Sequence, residues 1–261
     1  MSSHEEAIAP PKSAPINTER FKSQLTLAME MLLKKDIIRD IMNFKVRAYL
    51  FGGMIRDMIA GETPNDHDVM IIGTRETFEE ILCMLKKKYR YKEPVGYSEF
   101  AFRVVQIAGC DICLVVEDMP LSIDFTANSL AVEIEKESEC LYSLQSVIAL
   151  HSVVRRRKNV CPKAVEGCID DIINKKMVIA TDRWVSPIHQ LYRICKMFTK
   201  GYRNDSTVFV EDLIDRILYF KRHIVDDDCI STSEANMINV ITPALRMMVP
   251  HYSSAILDAL S

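Results

Sequence analysis

The chain has 261 residues, 48% of them hydrophobic and 26% charged, with a formal net charge of −3, which describes a globular protein able to bury a sizeable core rather than a disordered one. No apolar run reaches the ~20 residues of a membrane span. The N-terminus, with Glu5, Glu6 and three prolines by position 15, has no signal-peptide pattern. The eight cysteines, Cys83, Cys110, Cys113, Cys140, Cys161, Cys168, Cys195 and Cys229, are dispersed through a chain too long to need staples. They read as reduced thiols of an intracellular protein in a reducing compartment, the cytoplasm, nucleus or an organelle, with virus association also compatible.

Residues 1–16 read as a disordered leader. Asn17 or Thr18 caps an amphipathic helix that runs to about Met42, with Phe21, Leu25, Ala28, Met29, Leu32 and Leu33 at helical spacing. Residues 46–52 read as a strand, 53–60 as a short helix after Gly52 and Gly53, 67–72 as a second strand, and Thr74 to Lys88 as a helix with a threonine cap. Residues 101–107 and 111–117 form an antiparallel pair turning at Gly109. Asp124 to Val132 has helical character, and Cys140 to Leu144 reads as a short strand.

From about residue 150 the pattern turns helical, over Pro162–Lys175, Pro187–Lys200, Val208–His223 and Ser233–Met248. The expected class is α+β: a module at 17–150 with a small mixed or antiparallel sheet, then a helical domain at 151–261. Charge divides along the same line. Residues 51–150 carry 9 Lys/Arg against 17 Asp/Glu, a net of −8, while 151–203 carry 12 against 4, a net of +8. An acidic half beside a basic stretch suits a polyanionic ligand or is simply two solvated faces. The same two readings apply to the basic run Arg155-Arg156-Arg157-Lys158.

Chemistry concentrates in Tyr49-Leu-Phe-Gly52-Gly53-Met-Ile-Arg56-Asp57 and Asn65-Asp66-His67-Asp68. Glycines before a helix let the backbone approach a phosphate, and the helix-start amides favour anions. On a strand, Asp66 and Asp68 would share a face with His67 opposite, their carbons ~6–7 Å apart, which suits divalent ions ~4 Å apart. The Cys110-x-x-Cys113 pair lies within a hairpin, with no second pair at zinc spacing.

The run Gly52-Gly53-Met-Ile-Arg56-Asp57-Met-Ile-Ala-Gly61-x-x-Pro64-x-Asp66-x-Asp68, with Asp124-Phe-Thr126-Ala-Asn128-Ser-Leu130 further on, resembles the head domain of class II tRNA CCA-adding enzymes and bacterial-type poly(A) polymerases. That family reads GGxVRDxLLGxxPxDxD and RRDFTINAL at these places. The resemblance spans roughly residues 45–200 and implies a polymerase-β-type nucleotidyltransferase head followed by a helical neck.

It implies Asp66 and Asp68 as catalytic carboxylates holding magnesium, or manganese in its place. Asp111 is either the third catalytic carboxylate or a hairpin-turn acid. Gly52, Gly53 and Arg56 would cradle a nucleoside triphosphate, with Asp57 pairing with Arg56. Asp124 and Asn128 belong to the second nucleotide-binding motif, Asp124 equally suiting a helix N-cap, and the family's paired arginines are replaced by Ser122 and Ile123. On the neck, His189-Gln190-Leu-Tyr-Arg193-Ile-Cys-Lys196 stands where the family has EDPLRILR. Arg193 and Lys196 remain as nucleotide-binding candidates on one helix face, or as a solvated basic face; both acids are gone.

The expected activity is metal-dependent transfer of a nucleoside monophosphate from ATP, CTP or another triphosphate to an RNA 3′ end, of tRNA or another RNA. The alternatives are transfer to a small molecule or protein, or a non-catalytic RNA-binding or assembly subunit. A homo-oligomer or a partner subunit is compatible with the apolar stripes of the last helices, and no membrane association is expected.

Overall fold

The computed structural model describes residues 16–89, 91, 103–107, 109–117, 123–135, 142–150, 162–180, 187–225, 232–252 and 254–260. The leader up to residue 15, the 155–158 basic run, Ser122 and the 140–141 start of the expected short strand lie outside them.

Two helices open the chain, α1 (Thr18–Leu33) and α2 (Asp36–Met42). Asn17 is the cap, its Oδ1 accepting the Arg20 N–H at 2.9 Å. The single helix expected to Met42 is divided at Lys35, whose backbone is extended (φ −79°, ψ 118°). That break redirects the second piece so that Ile37, Ile38 and Ile41 bury alongside Leu25 and Leu32 of the first.

A six-stranded mixed sheet follows: β1 (Arg47–Phe51), β2 (Asp68–Gly73), β3 (Arg103–Ile107), β4 (Cys110–Val116), β5 (Leu130–Glu133) and β6 (Val147–Ala149), in the order β3-β4-β2-β1-β5-β6. The β2–β4 pair is parallel and the others are antiparallel. Helices α3 (Gly53–Ile59) and α4 (Arg75–Tyr89) lie between strands, and the Thr74 hydroxyl accepts the Thr77 N–H as the threonine cap requires.

The α+β class and mixed sheet agree with the sequence reading, but two local expectations do not. Asp124 to Val132 is not a helix. It is a 3₁₀ turn, Thr126–Asn128, leading into β5, because Leu130, Ala131 and Val132 gain more by pairing along β1 than a local helix would supply. Leu144 opens a second 3₁₀ turn, and the short strand falls later, at β6.

Alternating side chains divide the sheet into two faces. Ala48, Leu50, Val69, Ile71, Ile112, Leu114 and Val132 join the large core beneath the helices. Tyr49, Met70, Ile72, Val115 and Ala131 form a smaller apolar layer on the other face. Asp68 and Asp111 have the parity of that second face.

The helical half comprises α5 (Pro162–Ile173), α6 (Pro187–Thr199), α7 (Thr207–Phe220), α8 (Thr232–Tyr252) and α9 (Ser254–Leu260). Leu191, Ile194 and Phe198 of α6 are buried in the same continuous core as Met54 and Ile55 of α3, each such side chain stabilising the contact by about 1.5–3 kcal/mol. This packing presents the polar side of α6 to the end of the sheet where β1 stops and β2 and β4 begin. Among the described residues, no helix is long and apolar enough to cross a membrane.

Candidate active site

Strand β1 ends at Gly52, whose backbone (φ 71°, ψ −135°) is closed to side-chain-bearing residues at low cost. Its N–H donates to the Leu130 carbonyl at 3.0 Å, which ties the turn to β5. A Cβ built on Gly52 would lie 4.0 Å from Asp68 Oδ2, so the turn passes directly beside that carboxylate. At Gly53 a Cβ would meet Arg56 Nη2 at 3.2 Å; the bare glycine lets the guanidinium fold back over the helix start.

Asp68 is the first residue of β2, and its register partner in the parallel pair is Asp111 of β4. Asp111 is therefore a member of the carboxylate group, besides sitting in the hairpin: its N–H donates to the His67 carbonyl at 3.2 Å. Asp66 departs from the strand geometry expected of it. Because β2 begins only at Asp68, Asp66 stands exposed in the preceding bend rather than two positions along a strand. Its charge still reaches Asp68. Burial first, then the charges of Asp111 and Asp66, push the Asp68 carboxyl up to about 6, against the opposing pull of Arg193 and Lys196.

One cleft gathers most of the remaining candidates. Gly53, Arg56, Asp57, Asp66 and Asp68 line it from the sheet and α3. Asp124 and Asn128 line it from the 3₁₀ turn, and Arg193 and Lys196 from α6. His189 and Gln190 are not among its lining residues; Gln190 is 1% exposed, packed within the protein. Lys200, which the sequence reading passed over, also lines it. The signal for Lys200 was its spacing of four from Lys196 and seven from Arg193, which continues their helix face one turn further.

The polar groups are tied together. Arg56 Nε and Nη2 donate to Asp57 Oδ1 at 2.7 and 2.6 Å, both residues being buried. Asp57 thus pairs with Arg56, as the sequence reading had it. Arg56 Nη1 donates to Asn128 Oδ1 at 2.6 Å, and Asn128 Nδ2 donates to Asp124 Oδ1 at 2.8 Å. Asp124 is not a helix N-cap, since Phe125 holds that position of the 3₁₀ turn without a side-chain cap bond; the Asp124 Oδ1 accepts the adjacent Phe125 N–H at 2.8 Å. Its Oδ2 accepts Arg193 Nε at 2.7 Å.

The cleft is consequently bipolar. Asp66 and Asp68 line one end, with Asp111 in register beside Asp68 but not among the lining residues, while Arg56, Arg193, Lys196 and Lys200 outnumber Asp57 and Asp124 at the other. Carboxylate charges close enough to raise the proton affinity of Asp68 are a donor set that a hard divalent cation relieves. Among the described residues, no group of three or more His, Cys, Asp or Glu side chains converges as a metal cage. Magnesium fits such a site, since it ordinarily takes one or two carboxylates and completes its shell with water and ligand phosphate. Burial and the Asp68 and Asp111 charges push the neighbouring Cys113 thiol up to about 12.

No family model matches the sequence, and no curated protein matches it. Several solved structures are similar in shape. The Thermotoga maritima CCA-adding enzyme complexed with tRNA is 14% identical at a TM-score of 0.49, with 85% of this chain and 52% of that chain covered. A CCA-adding enzyme with CTP is 15% identical at a TM-score of 0.48, with 88% and 51% covered. A tRNA nucleotidyltransferase with a primer tRNA and an incoming ATP analog is 17% identical at a TM-score of 0.43, with 85% and 57% covered. This chain spans about half the length of those chains. Likenesses at this identity and score assign it no activity.

Proposed function

We propose that this protein is a metal-dependent nucleotidyltransferase that moves a nucleoside monophosphate from a nucleoside triphosphate to the 3′ hydroxyl of an RNA. The observation that carries the reading is the bipolar cleft: Asp68 in register with Asp111 beside the Gly52 turn, facing the cations of α6. A triphosphate with its divalent cation needs carboxylates and cations a few ångströms apart, and the motif resemblance places both elements in one family of enzymes.

Asp66 and Asp68 would hold magnesium, with Asp111 beside Asp68 as the third carboxylate; the ion when bound favours ionisation of the attacking hydroxyl and neutralises charge on the departing pyrophosphate. The chain's own part is positioning. Gly52 and Gly53 bring backbone amides close to phosphate oxygens, and the cationic wall neutralises the triphosphate. Asp124 and Asn128 hold their places through Arg193 and Arg56. With His189 and Gln190 in place of the family's acids, and neither lining the cleft, nucleotide choice departs from strict addition of C and then A.

The test is incubation with each ribonucleoside triphosphate, magnesium and a tRNA lacking its 3′ terminus, followed by sequencing of product ends. Extended ends in wild type, and none in Asp68→Ala, support the reading. Label transferred only to small molecules or protein in a parallel cell-extract arm would select a different acceptor. No transfer in any arm would leave a non-catalytic binding role and overturn the proposal.

A further inference from the structure

Three cations lie along one side of α6 and just past its end, Arg193, Lys196 and Lys200, spaced by three and four residues and so stacked over two turns. Two of them are taken up by the protein. Arg193 is bonded to Asp124, and Lys200 Nζ donates to Asp57 Oδ2 at 2.7 Å. The two carboxylates are themselves connected through Arg56 and Asn128. The bonds therefore make a closed circuit that leaves α6 at Arg193, crosses the 3₁₀ turn and α3, and returns at Lys200. Lys196 sits in the middle of the span. Its ammonium is exposed, lines the cleft, and has no hydrogen bond or ion pair among the described residues.

We infer that Lys196 is the cation of α6 that meets the triphosphate, and that Lys200, together with Arg193, is a positioning residue that holds the helix so that Lys196 reaches it. The inference rests on the nucleotidyltransferase reading. A ligand that draws on Arg193 or Lys200 competes for a charge already shared with a largely buried carboxylate, Asp124 or Asp57. Side-chain exposure is 12% at Asp124 and 7% at Asp57, so water compensates little. Lys196 gives up only water. Its charge already acts on Asp68, which puts it within electrostatic reach of the carboxylate end as well. Arg56 is excluded by the same reasoning, since Asp57 and Asn128 occupy its fork.

Wild type, Lys196→Met, Lys200→Met and Lys200→Arg are titrated calorimetrically with ATP and with inorganic tripolyphosphate, each with magnesium, and their melting temperatures are measured. Lys196→Met is expected to weaken both ligands by about tenfold, the loss of one charge-assisted phosphate contact, while melting within about 2 °C of wild type, as an unpartnered surface residue should. Lys200→Met is expected to melt several degrees lower and bind more weakly, and Lys200→Arg to recover both properties by pairing with Asp57. If wild type binds and Lys196→Met binds within about twofold of it, the inference fails and the wider reading stands. Weakened binding in Lys200→Met without a fall in melting temperature would make Lys200 a ligand contact and also overturn it. If wild type binds neither ligand, both the inference and the reading fall.

Discussion

Asp68 stands opposite Asp111 across the parallel β2–β4 pair, so two carboxylates from strands more than forty positions apart in the chain meet at the same level of the sheet. Nothing in folding alone favours that arrangement. Like charges brought together and partly buried oppose the folded state: burial first, then the charges of Asp111 and Asp66, raise the proton affinity of Asp68. Under the proposed function, a divalent cation would supply the counter-charge that the polypeptide provides only in part.

Replacing Asp68 should therefore separate activity from stability. Asp68→Asn is expected to lower transfer by on the order of 10³-fold or more while stabilising the metal-free protein at pH 8 by on the order of 2 kcal/mol. The sign follows from proton uptake. With the carboxyl moved from 3.8 up to about 6, the folded chain binds more protons than the unfolded chain between those values. This group's contribution to stability consequently falls as pH rises through that window and stays unfavourable above it. Denaturant titrations at pH 4 and pH 8 check this: the advantage of Asp68→Asn should be present at pH 8 and largely gone at pH 4.

Asp111→Asn removes one of the charges acting on Asp68. The Asp68 carboxyl should then titrate lower than in wild type, though burial keeps it above the ordinary aspartate range. Carboxyl NMR of the metal-free protein reads this directly. An unchanged Asp68 titration would mean that the register partnership has no electrostatic consequence and that Asp111 is only a turn residue.

Asn128 uses its carbonyl oxygen toward Arg56 and its amide toward Asp124, and both neighbours require that orientation. Asn128→Ala should cost about 1–3 kcal/mol by leaving buried partners unsatisfied. Asn128→Asp should be worse at pH 8, because the new carboxylate faces Asp124 and has no donor to offer it. Its excess penalty should shrink as pH falls and the new carboxyl gains a proton. Stability curves of the two variants across pH 5–8 that run parallel would contradict this.

Gly52→Ala forces a side chain into a backbone region almost reserved for glycine, at φ 71° and ψ −135°. A loss of about 1–3 kcal/mol is expected, with a larger loss of transfer because the same turn borders Asp68. Equilibrium unfolding and the end-extension assay measure the two effects. Wild-type stability in Gly52→Ala would show that the turn relaxes freely.

Local chemistry was legible in the sequence and long-range pairing was not. Gly52, Gly53, Arg56, Asp57 and Asp68 fall within one short run, and a turn, a helix start and a strand start follow from the residues themselves. The place of Asp111 depends on which strand lies beside β2, and the chain passes through α4 and β3 before it returns. For Asp124 to Val132, a capping aspartate and an alternating apolar run gave conflicting signals. The pairing of β5 with β1, together with the Thr126 N–H bond to the Val178 carbonyl at 3.0 Å, decides between them. Lys200 was missed because its meaning comes from Asp57, 143 positions away.

The bonded circuit across α3, the 3₁₀ turn and α6 has a consequence for how this protein can change over generations. Each member is satisfied by its immediate neighbours in the circuit, so no single member can lose its charge or polar group without stranding another. Lys200 with Asp57, and Arg193 with Asp124, should therefore be inherited as couples. In relatives of this chain, both partners of a couple should persist or both should be replaced, whereas Lys196, with no bonded partner among the described residues, should vary only as far as the ligand allows.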